Sequence, residues 1–265
     1  MSEFDIYIDK LKTILEKNNV CSSHGLSHAI IVMINAKKWI NYDNNTTTIN
    51  NVVFKLEKEQ IKSILLAALL HDADDGKFFP NNLNYDNLKI ILNGEHEDFV
   101  NNIIQMVSLV SSSKNGDKIP DFVKGNEWML IPRYADRLEA IGLVGISRCY
   151  KYGQTVNNPL FVSDTPRCTT LPDIWNHASE ERYNSYTGKS NSMIGHYYDK
   201  LLRLTFFPIH NKYLDYECHI RRKPIIDFIL YFGNSLEFTE KNVEDFIKNY
   251  QKVIWILKFV TSVKR

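Results

Sequence analysis

The chain has 265 residues, 44% hydrophobic and 24% charged, which excludes disorder throughout and is typical of a globular protein. With 32 basic and 31 acidic residues, its net charge of +1 gives no overall field that would attract nucleic acid or an anionic membrane. The N-terminal residues lack a signal-peptide pattern, and no apolar run reaches about 18 residues. The four cysteines form no zinc or disulfide pattern. We therefore expect a cytoplasmic protein without membrane contact.

Apolar residues recur at helical spacing along most of the chain, and long alternating runs are almost absent, which predicts an all-α fold. The predicted helices span residues 3–18, 26–41, 57–72, 83–92, 95–112, 126–150, 192–207, 209–234 and 238–263. A polar stretch over 41–51 is predicted as a surface excursion, and 111–124 as a turn-rich loop. Residues 151–192 form a long predicted connection, which is usually functional or contains short elements.

One dipeptide places two metal-ligand groups where a core residue is expected. His71-Asp72 ends the apolar run 64–70, upstream lies His28 at the start of a predicted helix, and downstream lies Asp136 within another. Imidazole and carboxylate groups together are ligands for a divalent transition metal. The dyad alone is also compatible with a helix-capping histidine beside a surface acid. The coincidence of three such positions in this order favours a metal site.

The order His, His-Asp, Asp on separate helices resembles the HD-domain metal-dependent phosphohydrolases. Further segments are similar to a bacterial and fungal subgroup that resembles nucleoside triphosphate pyrophosphohydrolases. These segments are Ser111–Gly116, Ile131–Tyr134, Pro166-Arg167 and Ser192-x-x-x-His196-x-x-x-Lys200. The resemblance covers most of residues 20–235. It implies an all-α HD-type helical bundle over 1–265 as a single domain, with the metal-site core at about 20–150 and a C-terminal helical extension at about 190–265.

The resemblance also implies a ligand set and a reaction. His28, His71, Asp72 and Asp136 would hold one divalent ion, with manganese favoured and magnesium, cobalt, nickel, iron or zinc as alternatives. A metal-activated water would cleave a (deoxy)nucleoside triphosphate to its monophosphate and pyrophosphate. Catalytic roles fall to Asp72 and to Asp75, which matches an acid that positions or deprotonates the water. Some relatives have Glu there, so the shorter Asp75 is a departure, and a turn in which Asp75 bonds its own backbone is the alternative.

Cationic and histidine side chains are the predicted substrate contacts. They are Lys77, Arg137, Arg148, His196, Lys200 and His24. Each has an alternative. His24 would be an additional ligand or, structurally, a loop histidine; Lys77 would be a solvated side chain; and Arg148 would be the partner of an acid such as Glu139. His196 bonded in the core with Lys200 at its rim is the alternative for that pair. Only His96 lies between the dyad and Asp136 as a further histidine, which favours a mononuclear site.

Two other functions stay open from the sequence. A 5′-nucleotidase acting on monophosphates would need fewer cations around its pocket, and a non-catalytic nucleotide sensor would keep the metal site without turnover. The expected partner is a small-molecule nucleotide, with nucleic acid not expected. A homodimer formed through the aromatic-rich C-terminal helices is an open possibility.

Overall fold

The computed structural model describes residues 3–21 and 24–263, apart from the side chains of residues 112–113 and 253–263. Helices dominate, and a single two-stranded hairpin is the β-structure of the described part of the chain, which confirms the all-α prediction. The chain forms two compact units, Met1–Glu139 with Phe207–Asp215, and Ala140–Phe206 with Tyr216–Arg265. The single domain over 1–265 stays a prediction.

The first unit contains most of the predicted N-terminal helices. Its elements are α1 (Asp5–Lys17), α2 (Leu26–Tyr42), β1 (Thr46–Ile49), β2 (Val52–Lys55), α3 (Lys58–Leu70), α4 (Asp86–Ile91), α5 (Glu97–Val110), α6 (Ser112–Asn115), 3-10 turns at Asp121–Val123 and Glu127–Leu130, and α7 (Ile131–Glu139). Helices α2, α3, α5 and α7 pack against one another as a bundle.

Helix α3 is the centre of this bundle. It begins with a capping box, in which the Gln60 side chain accepts from the backbone N–H of Glu57 at 2.8 Å while the Glu57 side chain accepts from the third helical residue. Residues Ser63–Leu70 are all buried. A helix that is apolar on every side belongs inside a bundle, because each of its faces then meets a neighbouring helix. His71 and Asp72, which follow α3 directly, therefore lie in the interior of the unit.

The predicted surface excursion at 41–51 was wrong over its second half, which forms β1. The strands pair antiparallel with Thr46 opposite Lys55 and Ile49 opposite Val52. Asn50 and Asn51 make the turn with φ of 49° and 68°, a conformation that asparagine tolerates. Thr47 is buried, and its Oγ1 accepts from Trp39 Nε1 at 2.8 Å, so β1 is fastened to α2.

The second unit contains shorter and less regular helices. Its elements are α8 (Gly142–Thr155), α9 (Leu171–His177), α10 (Glu180–Asn184), α11 (Met193–His196), a π-helical turn (Tyr197–Leu201) and a 3-10 turn (Arg203–Thr205). Most of α12 (Lys212–Asn234) and all of α13 (Glu240–Val263) belong to it. The long connection 151–192 thus contains two short helices, as its length suggested.

Two predicted helices are interrupted. The helix predicted over 126–150 is divided into a 3-10 turn, α7 and α8, and Gly142 at the start of α8 has a φ of +77° that favours glycine. The helix predicted over 192–207 changes from α to π to 3-10 geometry. Hydrophobic periodicity did not reveal either change, because apolar residues continue through both stretches.

An aromatic cluster forms the core of the second unit. Phe228 and Phe232 are fully buried, and the Phe232 and Phe238 ring centroids lie 5.0 Å apart. Gly233 allows the chain at Cys168 to approach, because a Cβ at Gly233 would lie 1.9 Å from the Cys168 carbonyl oxygen. No helix within residues 3–21 and 24–263 is both long and apolar enough to cross a membrane.

Candidate metal centre

Three helices of the first unit bring the predicted metal ligands together. His28 lies in the first turn of α2, His71 and Asp72 directly follow α3, and Asp136 lies on α7. Both histidines are buried, while the carboxylates keep 20% and 28% of their side-chain surface exposed. Because α2, α3 and α7 pack pairwise, the predicted ligands converge at one point.

The ligand atoms are separated by the distances that one metal ion requires. Nε2 of His28 and Nε2 of His71 lie 3.2 Å apart, and Asp136 Oδ1 lies 3.3 Å and 3.5 Å from them. Asp72 Oδ2 lies 3.3 Å from His71 Nε2 and 3.8 Å from His28 Nε2. With bonds of about 2.1 Å, neighbouring ligands of one ion stand roughly 3.0–3.4 Å apart. His28, His71 and Asp136 form the mutually closest set, within 4.8 Å, and Asp72 flanks their imidazoles.

Hydrogen bonding fixes the tautomer of His71. Its Nδ1 lies 2.9 Å from the carbonyl oxygen of Ala68, which can only accept, so Nδ1 carries the proton. In its neutral form the ring presents a bare Nε2 toward His28 and the two carboxylates, which is the nitrogen that a bound metal would need. Nδ1 of His28 is buried and has no hydrogen-bond partner within residues 3–21 and 24–263.

The charges at the site act on its titratable groups in opposite directions. Burial lowers the pKa of His71, but the nearby carboxylates of Asp72 and Asp136 outweigh it and raise that pKa to about 9. Burial by itself raises the pKa of Asp72, but the imidazolium form of His71 outweighs burial and lowers that pKa below its usual range. The two carboxylates thus stabilise positive charge at the imidazoles. A divalent cation would supply positive charge at the same place.

The acids after the dyad have different partners. Asp74 Oδ1 accepts from Asn87 N–H at 2.9 Å and Oδ2 accepts from Leu88 N–H at 3.0 Å, so this carboxylate caps the first turn of α4. Asp75 Oδ1 accepts from the backbone N–H of Lys77 at 2.9 Å in a local turn. The turn that was the alternative for Asp75 is therefore present. Its catalytic role stays a prediction, since a carboxylate with one such bond keeps acceptor capacity.

Two arginines of α7 hold the loop that follows α5. Arg137, a predicted substrate contact, is 2% exposed and donates from Nη1 to Asp117 Oδ1 and from Nη2 to the Gly116 carbonyl, both at 2.5 Å. Arg133 is fully buried and donates to the carbonyl oxygens of Leu109 at 2.7 Å and of residue 118 at 3.0 Å. Both guanidinium groups thus bind protein acceptors, and a substrate contact by Arg137 stays a prediction.

Among the predicted substrate contacts in the first unit, His24 lies beside the candidate metal centre. Its ring centroid is 6.3 Å from that of His28 and 5.3 Å from that of Phe78. Lys77 is exposed on the turn after the dyad. His96 caps α5 with a side chain that is 80% exposed, as expected of a solvated helix start.

Sequence reasoning did not find the tie between α2 and α7 at this centre. Asn35 is buried, lies seven residues after His28 and donates from Nδ2 to Glu139 Oε1 at 3.1 Å. Glu139 lies three residues after Asp136, so the pair joins the two helices that carry the predicted ligands His28 and Asp136. The seven-residue spacing was the signal, because residues two turns apart share a helix face.

The remaining predicted contacts belong to the second unit. Arg148 is partly buried on α8. Nδ1 of His196 lies 3.2 Å from Tyr186 Oη and 3.1 Å from Ser190 Oγ, and Lys200 Nζ lies 5.8 Å from the Tyr186 ring centroid. The structure thus places His196 and Lys200 around one tyrosine, and their contact with substrate stays a prediction.

Comparison with known proteins gives a relative for this chain. No protein-family profile matches the sequence. The chain is 35% identical over 234 residues to the uncharacterized protein L803 of Acanthamoeba polyphaga mimivirus, and the match covers 81% of this chain and 90% of L803. The chain belongs to the same family as L803.

Solved structures show the fold of this family. A protein from Lactobacillus plantarum matches with a TM-score of 0.59 at 21% identity, over 86% of this chain and 94% of its own. The Lin1889 protein of Listeria innocua matches with a TM-score of 0.53 at 19% identity, over 91% and 100%. An HD-superfamily hydrolase from Bacillus thuringiensis matches with a TM-score of 0.54 at 20% identity, over 86% and 93%. The expected HD-type helical fold is thereby confirmed.

Proposed function

We propose that this chain is a metal-dependent phosphohydrolase that cleaves (deoxy)nucleoside triphosphates to monophosphate and pyrophosphate. The observation that carries the proposal is the convergence of two imidazoles and two carboxylates, with neighbouring atoms 3.2–3.8 Å apart, at the end of a buried helix. The HD-superfamily hydrolase from Bacillus thuringiensis, which shares the fold, supports hydrolysis as the reaction class. The monophosphate and pyrophosphate products follow from the family resemblance of the sequence.

The residues of the centre fit one divalent cation. His28, His71, Asp72 and Asp136 would hold it, and when bound it would polarise a phosphoryl oxygen and make a coordinated water more acidic. The ligand set combines imidazole nitrogen and carboxylate oxygen, and this combination suits manganese, iron, cobalt, nickel or zinc. The partial exposure of both carboxylates leaves an approach for substrate from solvent.

Asp75 has the position expected of the group that orients the attacking water. It lies three residues after Asp72, is half-buried, and accepts the backbone N–H of Lys77 at its Oδ1. As a carboxylate it can accept a proton from water, which gives it the role of general base. Lys77 follows in the same turn with its side chain exposed, where an ammonium group would attract a phosphate oxygen.

The test is hydrolysis by metal-depleted protein reconstituted with manganese, cobalt or magnesium. Nucleoside tri-, di- and monophosphates are assayed, with pyrophosphate and phosphate release measured separately. We expect metal-dependent pyrophosphate release from triphosphates, abolished by Asp72→Asn. Asp98→Asn is the matched control, since that carboxylate is 88% exposed at the start of α5. Phosphate release from monophosphates alone would favour a 5′-nucleotidase, and metal-bound protein that turns over no nucleotide would favour a sensor.

A further inference from the structure

A cavity in the first unit lies at the other end of α3 from the candidate metal centre. Its volume is about 600 Å³, within the range of small-molecule sites. Gln60 in the first turn of α3 forms one wall, one side of α5 forms the second, and the segment with the two 3-10 turns forms the third. His71 lies eleven residues after Gln60, a distance of about 16 Å along a helix. None of the four candidate metal ligands lines the cavity, which is therefore a separate site.

The lining of the cavity is apolar and amidic. Its apolar surface comes from the buried Met106 and Met129, from Trp128, and from Phe122, which is 53% exposed. The other lining residues within the described part of the chain are four amides and one serine, with no Lys, Arg, His, Asp or Glu among them. An anion or a metal ion would find no opposite charge here, so the lining fits a neutral molecule.

Two of the amides face the cavity as hydrogen-bond donors. Oε1 of Gln60 accepts from the Glu57 N–H at 2.8 Å, and Oδ1 of Asn126 accepts from Trp128 Nε1 at 3.3 Å. Both oxygens therefore already serve the protein, and the NH₂ group of each amide is what it can offer to a ligand. A purely apolar occupant would take water from these donors without replacing it, which costs free energy.

The wall formed by α5 can both donate and accept. Asn102, Gln105 and Ser108 follow one another at three-residue steps along the side of α5 that lines the cavity. Each amide presents a carbonyl acceptor beside an NH₂ donor. The Ser108 hydroxyl donates to the Gln105 carbonyl at 2.7 Å, so its oxygen is left to accept. A matching ligand carries acceptors and donors next to one another on one edge.

We propose that this cavity binds a neutral nitrogen heterocycle of the nucleobase type, as a free base or a nucleoside. Such a ring has flat apolar faces, which stack on Phe122 and Trp128, and an edge where ring nitrogens or carbonyls alternate with N–H groups. Amide side chains recognise base edges through paired donor and acceptor contacts. A free sugar carries a hydroxyl on almost every carbon, and several of these would face the two thioethers and the aromatic rings without a partner.

The first test titrates adenosine, inosine, cytidine and uridine into the full chain in chelator and follows the indole N–H signal of Trp128 by ¹⁵N NMR. Loss of the signal in Trp128→Phe assigns it. We expect at least one nucleoside to shift the signal saturably, its monophosphate to bind there with the same affinity because the lining is uncharged, and ribose to leave the signal unmoved. The proposal is overturned if no nucleoside gives a saturable shift, if ribose binds equally well, or if the monophosphate binds much more tightly at this signal.

The second test compares two neighbouring asparagines of α5. Asn102→Leu keeps the size of the side chain but removes its donor and acceptor, and it should weaken nucleoside affinity about tenfold, the effect of one unmade hydrogen bond. Asn101→Leu is the matched control, because Asn101 is also exposed on α5 but does not line the cavity. Equal affinity in the two variants would overturn the proposal. Binding here needs neither metal nor turnover, so a failure of this proposal is distinct from a failure of the proposed hydrolysis.

Discussion

Replacing Asp74 with alanine should destabilise the first unit, whereas the same change at Asp75 should not. The Asp74 carboxylate accepts two backbone N–H groups at the start of α4, from Asn87 and Leu88, and one amide N–H from Asn82 at 2.9 Å. Loss of a helix cap costs about 1–2 kcal/mol, and loss of a further hydrogen bond about 1 kcal/mol. Because the site is partly buried and water replaces some of these bonds, we expect a net loss of about 2 kcal/mol.

This energy converts to a measurable shift in melting temperature. For a unit of this size each kcal/mol lowers Tm by roughly 2–4 °C, so Asp74→Ala should melt about 4–8 °C below the wild type. Within the described part of the chain the Asp75 carboxylate accepts a single N–H, in a local turn, and its replacement should cost no more than about 0.5 kcal/mol. Thermal unfolding followed by far-ultraviolet circular dichroism in chelator compares the two variants without metal.

The two positions should rank in the opposite order when activity, and not stability, is measured. We expect Asp75→Asn to lower kcat by about 10²–10⁴, the usual contribution of a general base, and Asp74→Asn to keep most of the wild-type kcat once folded. The reasoning would be refuted by an Asp74→Ala protein that melts with the wild type, or by an Asp75→Ala protein that loses as much stability.

Three further outcomes follow from the packing and the centre. Gly233→Ala should lose at least about 3 kcal/mol in chemical denaturation because its Cβ would lie 1.9 Å from a carbonyl oxygen, whereas Gly153→Ala, with no atom nearer than 3.9 Å, should gain up to about 1 kcal/mol. Arg133→Met should lose about 2–4 kcal/mol in the same assay, because the buried carbonyl of Leu109 and the partly buried carbonyl of Lys118 lose their donor. Manganese at about 100 times its Kd should add about 2.7 kcal/mol to stability, and His28→Asn should abolish that gain while the exposed His96→Asn keeps it.

The helices that carry the candidate metal ligands could be predicted because their signals are local. The apolar run before His71 fixes a buried helix, and the ligand types at His28 and Asp136 stand out on predicted helices of their own. Periodicity is a property of adjacent residues, so it locates helices well. It does not say how far apart their ends lie in space, and the 3.2–3.8 Å separations came from the structure alone.

The parts that were missed depend on contacts between distant residues or on turn chemistry. Asp74 and Asp75 are alike in sequence, and only the placement of α4 decides which one becomes its cap. The bond from Arg137 to Asp117 was not predicted, because it joins residues 20 positions apart and needs the folded loop. The hairpin did have a signal in the two asparagines at 50 and 51 between β-branched residues.

The most direct test of the account is the metal content of the reconstituted protein measured together with its hydrolysis of a nucleoside triphosphate. Wild type and Asp98→Asn should each bind one manganese ion per chain by elemental analysis and release pyrophosphate. Asp136→Asn should lose both the ion and the reaction while its circular dichroism spectrum stays that of the wild type. Pyrophosphate release that continues in chelator, or in an Asp136→Asn protein without metal, would contradict a centre built on His28, His71, Asp72 and Asp136.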